Sequence, residues 1–123
     1  MQTVQQIKQS LIQNLENCGV FDSVLTPSDD RRQSTIMREP SAAVFFSGLK
    51  STEDNGVVVC TAVFEVDMKF LKVGVNETSD DIETVMKSLS ELEPCSLSQK
   101  MTKGANDRSA VYRIEAAFNG CRQ

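Results

Sequence analysis

Apolar residues near the start of the chain recur at three- and four-residue steps, the spacing of an amphipathic helix. The stripe over residues 3–17 consists of Val4, Ile7, Leu11, Ile12 and Leu15. Gly19 follows Cys18 at the place where a helix commonly ends in a left-handed residue. The pattern therefore predicts a first helix over residues 3–17, followed by a brief strand within Val20–Leu25.

Residues 57–73 alternate between apolar and other positions for longer than a helix would allow, which predicts a long strand. One face of this strand is apolar throughout: Val58, Cys60, Ala62, Phe64, Val66, Met68 and Phe70. The other face starts apolar and becomes charged: Val57, Val59, Thr61, Val63, Glu65, Asp67 and Lys69. We interpret this change as a strand covered on both faces at its start and solvated on one face near its end.

A strand over residues 42–49, with Phe45 and Phe46 on opposite faces, precedes the long strand. The turn segment Ser51–Gly56 separates the two, and its Asn55-Gly56 pair is a strong hairpin signal.

A second helix is predicted over residues 78–94, and a final strand over 110–119. Thr78 or Ser79 is the expected capping residue of that helix, and Pro94 is expected to end it. Its buried stripe is Ile82, Val85, Met86, Leu89 and Leu92. The polar segments 26–41 and 95–109 are expected to be long loops, which in compact domains are usually functional or disordered.

These elements predict a single α+β domain over residues 1–123, with the element order α-β-β-α-β. We expect a small antiparallel or mixed sheet, a long central hairpin and two helices packed on one face. The second face of the long strand would then need another cover, and a second subunit is the natural candidate.

Composition narrows the class of protein. Hydrophobic residues make up 40% and charged residues 24%, and no stretch approaches the length of a membrane helix. The first residues lack the pattern of a signal peptide, so the expected location is the cytoplasm. The net charge of −4 argues against sequence-specific binding to nucleic acid.

Candidate chemistry is sparse. The chain has no histidine, and its four cysteines are scattered, so we expect neither a zinc site nor a disulfide. A Ser98–Lys100 pair and paired carboxylates at Glu65 and Asp67 are conceivable catalytic groups, but chance pairing and solvated charge explain them better. We therefore expect no enzyme activity, no metal and no cofactor.

The order of these segments resembles the tail terminator, or tail completion, proteins of long-tailed bacteriophages and prophages. The resemblance covers nearly the whole chain, and five segments carry it: QQIKQSLIQNLENCGVFDSV, AAVFFSG, VVVCTAVFEVDMKF, DDIETVMKSLSEL and AVYRIEAAF. It implies a structural protein that forms a ring, commonly hexameric, on the end of the tail tube. Its partners would be further copies of itself, the tail tube protein and a head-completion protein, in the bacterial cytoplasm and then in the virion tail.

We expect the subunit contacts of such a ring to come from the 26–41 and 95–109 segments and from the second face of the long strand. The candidate interface residues are Asp29, Asp30, Arg31, Arg32, Val57, Val59 and Val63. The alternative function is a small non-enzymatic regulatory or ligand-binding domain, which would need an apolar pocket with a few polar groups.

Overall fold

The fold is taken from a computed structural model, which describes residues 3–26, 40–71, 75–103 and 109–120. Within these ranges the chain forms two helices and a five-stranded mixed sheet, which confirms the α+β class. The elements are α1 (Val4–Asn17), β1 (Ser23–Leu25), β2 (Ser41–Asp54), β3 (Val57–Leu71), α2 (Val75–Ser90), β4 (Ser96–Lys103) and β5 (Ser109–Asn119). The strands lie in the order β1-β2-β3-β5-β4.

The first helix forms as its spacing predicts. Its start is fixed by a capping box, in which the Thr3 side chain accepts a hydrogen bond from the Gln6 backbone N–H while the Gln6 side chain accepts from Thr3. Ile7, Leu11 and Leu15 are buried. The capping box stabilises the start of α1, and the apolar face packs the helix against the sheet.

The central hairpin is also confirmed. β2 and β3 pair antiparallel from Ser41↔Lys69 to Asp54↔Val57, and β5 pairs antiparallel with the other side of β3. The turn holds only Asn55 and Gly56, both with positive φ (52° and 79°). Such a two-residue turn matches the twist of the two strands, so residues 51–54, predicted as turn, continue β2 instead.

Both helices pack on one face of the sheet. The strand residues on this helix-covered face include Ala42, Val44, Ala62, Phe64, Val66, Met68, Phe70, Ile114, Ala116 and Phe118. They form one buried cluster with Ile7, Leu11, Leu15, Val85 and Leu89 of the helices. The apolar face predicted for the long strand is thus the core, apart from its first positions.

Aromatic rings join three strands in the middle of that core. Phe64 lies 5.3 Å from Phe46 and 6.1 Å from Phe118, measured between ring centroids. A shift of register between Phe46 and Gly48 inserts one residue into β2, so that Leu49 packs against the same cluster as Phe46. The bulge therefore keeps apolar residues on the helix-covered face as far as Leu49.

Two boundaries differ from the prediction. α2 starts at Val75, so Thr78 and Ser79 lie inside the helix and do not cap it. The 95–109 segment is not one loop, because Ser96–Lys103 forms β4 beside β5. β4 is mostly polar, and hydrogen bonding to β5 rather than apolar alternation makes it a strand.

The exposure of β3 runs opposite to our interpretation. Val57 and Val58 at its start are 62% and 72% exposed, whereas Val63 and Asp67 farther along are 6% and 9% exposed. The start of β3 extends past the end of β5, while its charged half lies between β2 and β5. The polarity of the side chains along β3 therefore does not predict which part of the strand is exposed.

Across the described ranges, neither helix is long and apolar enough to cross a membrane.

Candidate functional site

The β2–β3 hairpin projects beyond the rest of the sheet. The last pair between β3 and β5 is Thr61↔Asn119, where the Thr61 hydroxyl donates a 2.7 Å hydrogen bond to Asn119 Oδ1. The Gly120 backbone N–H donates to the Cys60 carbonyl at 3.0 Å. Beyond this point, among the residues that the structure describes, β2 and β3 form a two-stranded ribbon that ends at the turn. We name residues 50–60 the hairpin arm.

The tip of the hairpin arm presents apolar side chains to solvent. Among the residues whose side chains are described, Val57 and Val58 are the large hydrophobic residues that stay exposed. Adjacent strand residues point to opposite faces, so the arm offers one valine on each face. The paired strand contributes exposed Lys50, Ser51 and Glu53. The arm is therefore apolar along one strand and polar along the other.

The predicted valine patch is not uniform in the structure. Val57 is exposed, Val59 is half-buried, and Val63 is buried within the single chain. Only the end of the patch that lies in the hairpin arm is thus available to another molecule. The predicted ion-pairing residues Asp29, Asp30, Arg31 and Arg32 lie outside the described residues, and their role stays a prediction.

A charged cluster lies on the second face, which is the face of the sheet opposite the helices. Arg113 Nε donates to Asp67 Oδ1 at 2.8 Å, Nη2 reaches Asp67 Oδ2 at 3.4 Å, and Nη1 lies 3.3 Å from Glu65 Oε2. The three side chains are 29%, 13% and 16% exposed, respectively. The carboxylates that the sequence offered as a conceivable catalytic pair are thus held by an arginine, in an arrangement that fixes β3 against β5.

The other conceivable catalytic groups, Ser98 and Lys100, lie beside charged residues of β5. Ser98 and Lys100 are exposed on the edge strand β4, opposite Glu115 and Arg113 respectively. In the part of the chain that the structure describes, no group of three or more His, Cys, Asp or Glu residues is arranged to hold a metal ion.

A polar groove of about 430 Å³ lies between the two helices, and Cys18, Lys87 and Glu91 are among its lining residues. Asn14 and Ser88, which also line it, bond each other: Asn14 Nδ2 donates to the Ser88 carbonyl at 2.8 Å, and Ser88 Oγ donates to the Asn14 carbonyl at 3.2 Å. This pair of hydrogen bonds ties α1 to α2. Two of the polar residues that line the groove are thereby already engaged with each other.

Sequence reasoning missed the hairpin arm as a separate feature. One signal was present, because the predicted long strand (57–73) was longer than the predicted final strand (110–119) that pairs with it. A hairpin whose third strand is shorter must extend past it at one end. No sequence pattern indicated the groove, because its lining residues come from two helices that are far apart in sequence.

Comparison of the sequence with protein-family profiles and with curated proteins finds no match.

Proposed function

We propose that this chain is a structural protein of the tail-terminator type, which assembles head to tail into a ring on the end of a phage tail tube and provides a surface for head joining. The observation that carries the proposal is the hairpin arm, with Val57 62% and Val58 72% exposed at its tip. Exposed apolar groups at the tip of a projecting element fit a contact with another subunit.

A ring requires two different surfaces on each subunit, one that projects and one that receives it. The hairpin arm is the projecting surface in this proposal. The segments with Asp29, Asp30, Arg31 and Arg32 are candidates for the receiving surface, on the grounds of their mixed charge. The element order of two helices on a mixed sheet is in keeping with the resemblance that suggested the ring.

The proposal predicts that a tail tube protein is encoded near this gene, and the test combines the full chain with that protein. We expect native mass spectrometry and electron microscopy to show rings on tube ends and a tube length that is limited when the chain is added. The double variant Val57→Ser/Val58→Ser should lose ring formation while keeping its circular dichroism spectrum. A matched control, Glu83→Ser/Lys87→Ser, removes an exposed pair on α2 and should leave rings unchanged.

Tubes that grow to the same length with and without the chain would contradict the proposal. So would neighbouring genes that encode no tail protein. Reversing the charges of Arg31 and Arg32 tests the receiving surface separately, because unchanged assembly would remove those residues from the contact without affecting the role of the arm.

The second candidate function is a small regulatory or ligand-binding domain, and the groove between α1 and α2 is the observation that favours it. Ligand pockets are usually more apolar, and two of the polar residues that line this groove, Asn14 and Ser88, already bond each other. A thermal-shift screen with a panel of nucleotides, amino acids and sugars tests it. A ligand that raises the melting temperature in the wild type but not in a Lys87→Ala/Glu91→Ala variant would favour this function.

A further inference from the structure

The outer edge of β2 in the hairpin arm has no neighbouring strand among the described residues. β1 pairs only with Ser41–Ala43, and β3 occupies the other side of β2. Lys50, Ser51 and Glu53 on this edge are exposed. An open strand edge is a template on which another strand can pair.

The turn fixes which backbone groups the edge presents. In a two-residue hairpin the residues that flank the turn, here Asp54 and Val57, exchange backbone hydrogen bonds. Bonded and non-bonded pairs then alternate along the ladder. The backbone N–H and C=O groups of Ser51 and Glu53 consequently point away from β3, toward the side on which none of the described strands lies.

The residue order along this edge is self-complementary. The segment reads Lys50-Ser51-Thr52-Glu53-Asp54, with its basic residue at one end and its acidic residues at the other. Two identical segments can pair antiparallel if the outward-facing backbone groups of Ser51 on one copy meet those of Glu53 on the other. This pairing places a twofold axis at position 52. Ser51 then stands opposite the partner's Glu53, and Lys50 stands opposite the partner's Asp54.

We propose that two copies of this chain pair through the outer edges of their hairpin arms, which makes a four-stranded antiparallel sheet with its twofold axis at Thr52. Charge complementarity selects a second copy as the occupant, because each pairing of Lys50 with an aspartate is made twice. The inference goes beyond the proposed ring, since it uses the β2 edge of the arm rather than the valines of β3.

A contact of this size is weak. Five residues from each copy bury far less surface than the roughly 800 Å² per partner of a stable complex. The expected dimer therefore forms only at high protein concentration, in the micromolar to millimolar range, and exchanges rapidly.

Charge reversal tests the pairing by sedimentation equilibrium of the full chain. Lys50→Glu places a glutamate opposite Asp54 of the other copy on both sides of the twofold axis. It should weaken dimerisation about tenfold. The double variant Lys50→Glu/Asp54→Lys restores opposite charges and should recover the wild-type dimer. Lys87→Glu, which makes the same change of net charge on α2, should leave dimerisation within about twofold of wild type. Absence of a wild-type dimer, or a double variant no better than the single one, overturns the proposal.

Disulfide trapping tests the position of the axis. A cysteine at position 52 would face its own copy at a Cα separation of about 4.5 Å, close enough for a disulfide. Thr52→Cys should therefore form a covalent dimer under mild oxidation much faster than wild type, whereas Ser51→Cys should not. Faster trapping by Ser51→Cys overturns the axis at Thr52. These outcomes are independent of tail tubes, so a failed ring assay leaves them interpretable.

Discussion

Arg113 is held on the second face by two carboxylates that come from a different strand. Asp67→Ala removes the shorter of its contacts, 2.8 Å from Nε to Oδ1, and leaves a partly buried guanidinium with Glu65 as the remaining acid of the cluster. Because a hydrogen bond to a charged group contributes more than a neutral one, we expect unfolding free energy to fall by about 1–3 kcal/mol. Urea denaturation followed by circular dichroism measures the loss.

The comparison pair is Lys87 and Glu83, 3.3 Å apart on α2 with side chains 77% and 66% exposed. Solvent screens such a pair, so Glu83→Ala should change stability by no more than about 0.5 kcal/mol. An Asp67→Ala variant as stable as Glu83→Ala would mean that the cluster does not stabilise the sheet.

Phe64 and Val58 lie on the same face of the same strand but in different surroundings. Phe64 is fully buried between Phe46 and Phe118, whereas Val58 is 72% exposed. We expect Phe64→Ala to lower the unfolding free energy by about 3–5 kcal/mol, from lost burial and the cavity left behind. Val58→Ala should cost less than about 0.5 kcal/mol. Denaturation midpoints for the two variants give the comparison, and similar values would contradict the exposure of the arm.

At the scale of elements, the hairpin arm should behave as a separate unit of low stability. It is a two-stranded ribbon, and such ribbons are marginal in water without a third strand or a core. Gly56 has φ 79°, a conformation that alanine adopts only at a cost. Gly56→Ala should therefore speed amide hydrogen exchange in the arm while the melting temperature changes little.

The exchange measurement is made on dilute protein, so that pairing between copies does not protect the arm. Amides of β3 beyond Thr61, which are paired on both sides, serve as the internal reference. If Gly56→Ala changes amide exchange equally in the arm and in the reference region, the arm opens only together with the whole domain.

Over the described residues, no covalent link between side chains holds the molecule together, because Cys18, Cys60 and Cys95 are free thiols. We expect four titratable thiols in the unfolded protein and the same melting temperature with and without dithiothreitol. Fewer than four thiols in freshly reduced and desalted protein, or a melting temperature lowered by reductant, would contradict this expectation.

Hydrophobic periodicity determined most elements from the sequence alone. The spacing of Ile7, Leu11 and Leu15 specified α1, and the alternation from Ala62 to Phe70 specified the core face of β3. Asn55-Gly56 specified the hairpin, because few residue pairs accept two successive positive φ angles. These signals are local: each depends on residues within one helix, strand or hairpin.

Only the tertiary structure decided which surfaces are open. β4 is too polar to show a strand pattern, and its pairing with β5 creates it. Val57 and Val63 look alike in sequence, yet one is 62% and the other 6% exposed, and only Val63 lies in the part of β3 that pairs with β5. Exposure depends on where a distant strand stops, and no local pattern records that position. The hairpin arm, which carries both proposals, exists for this reason.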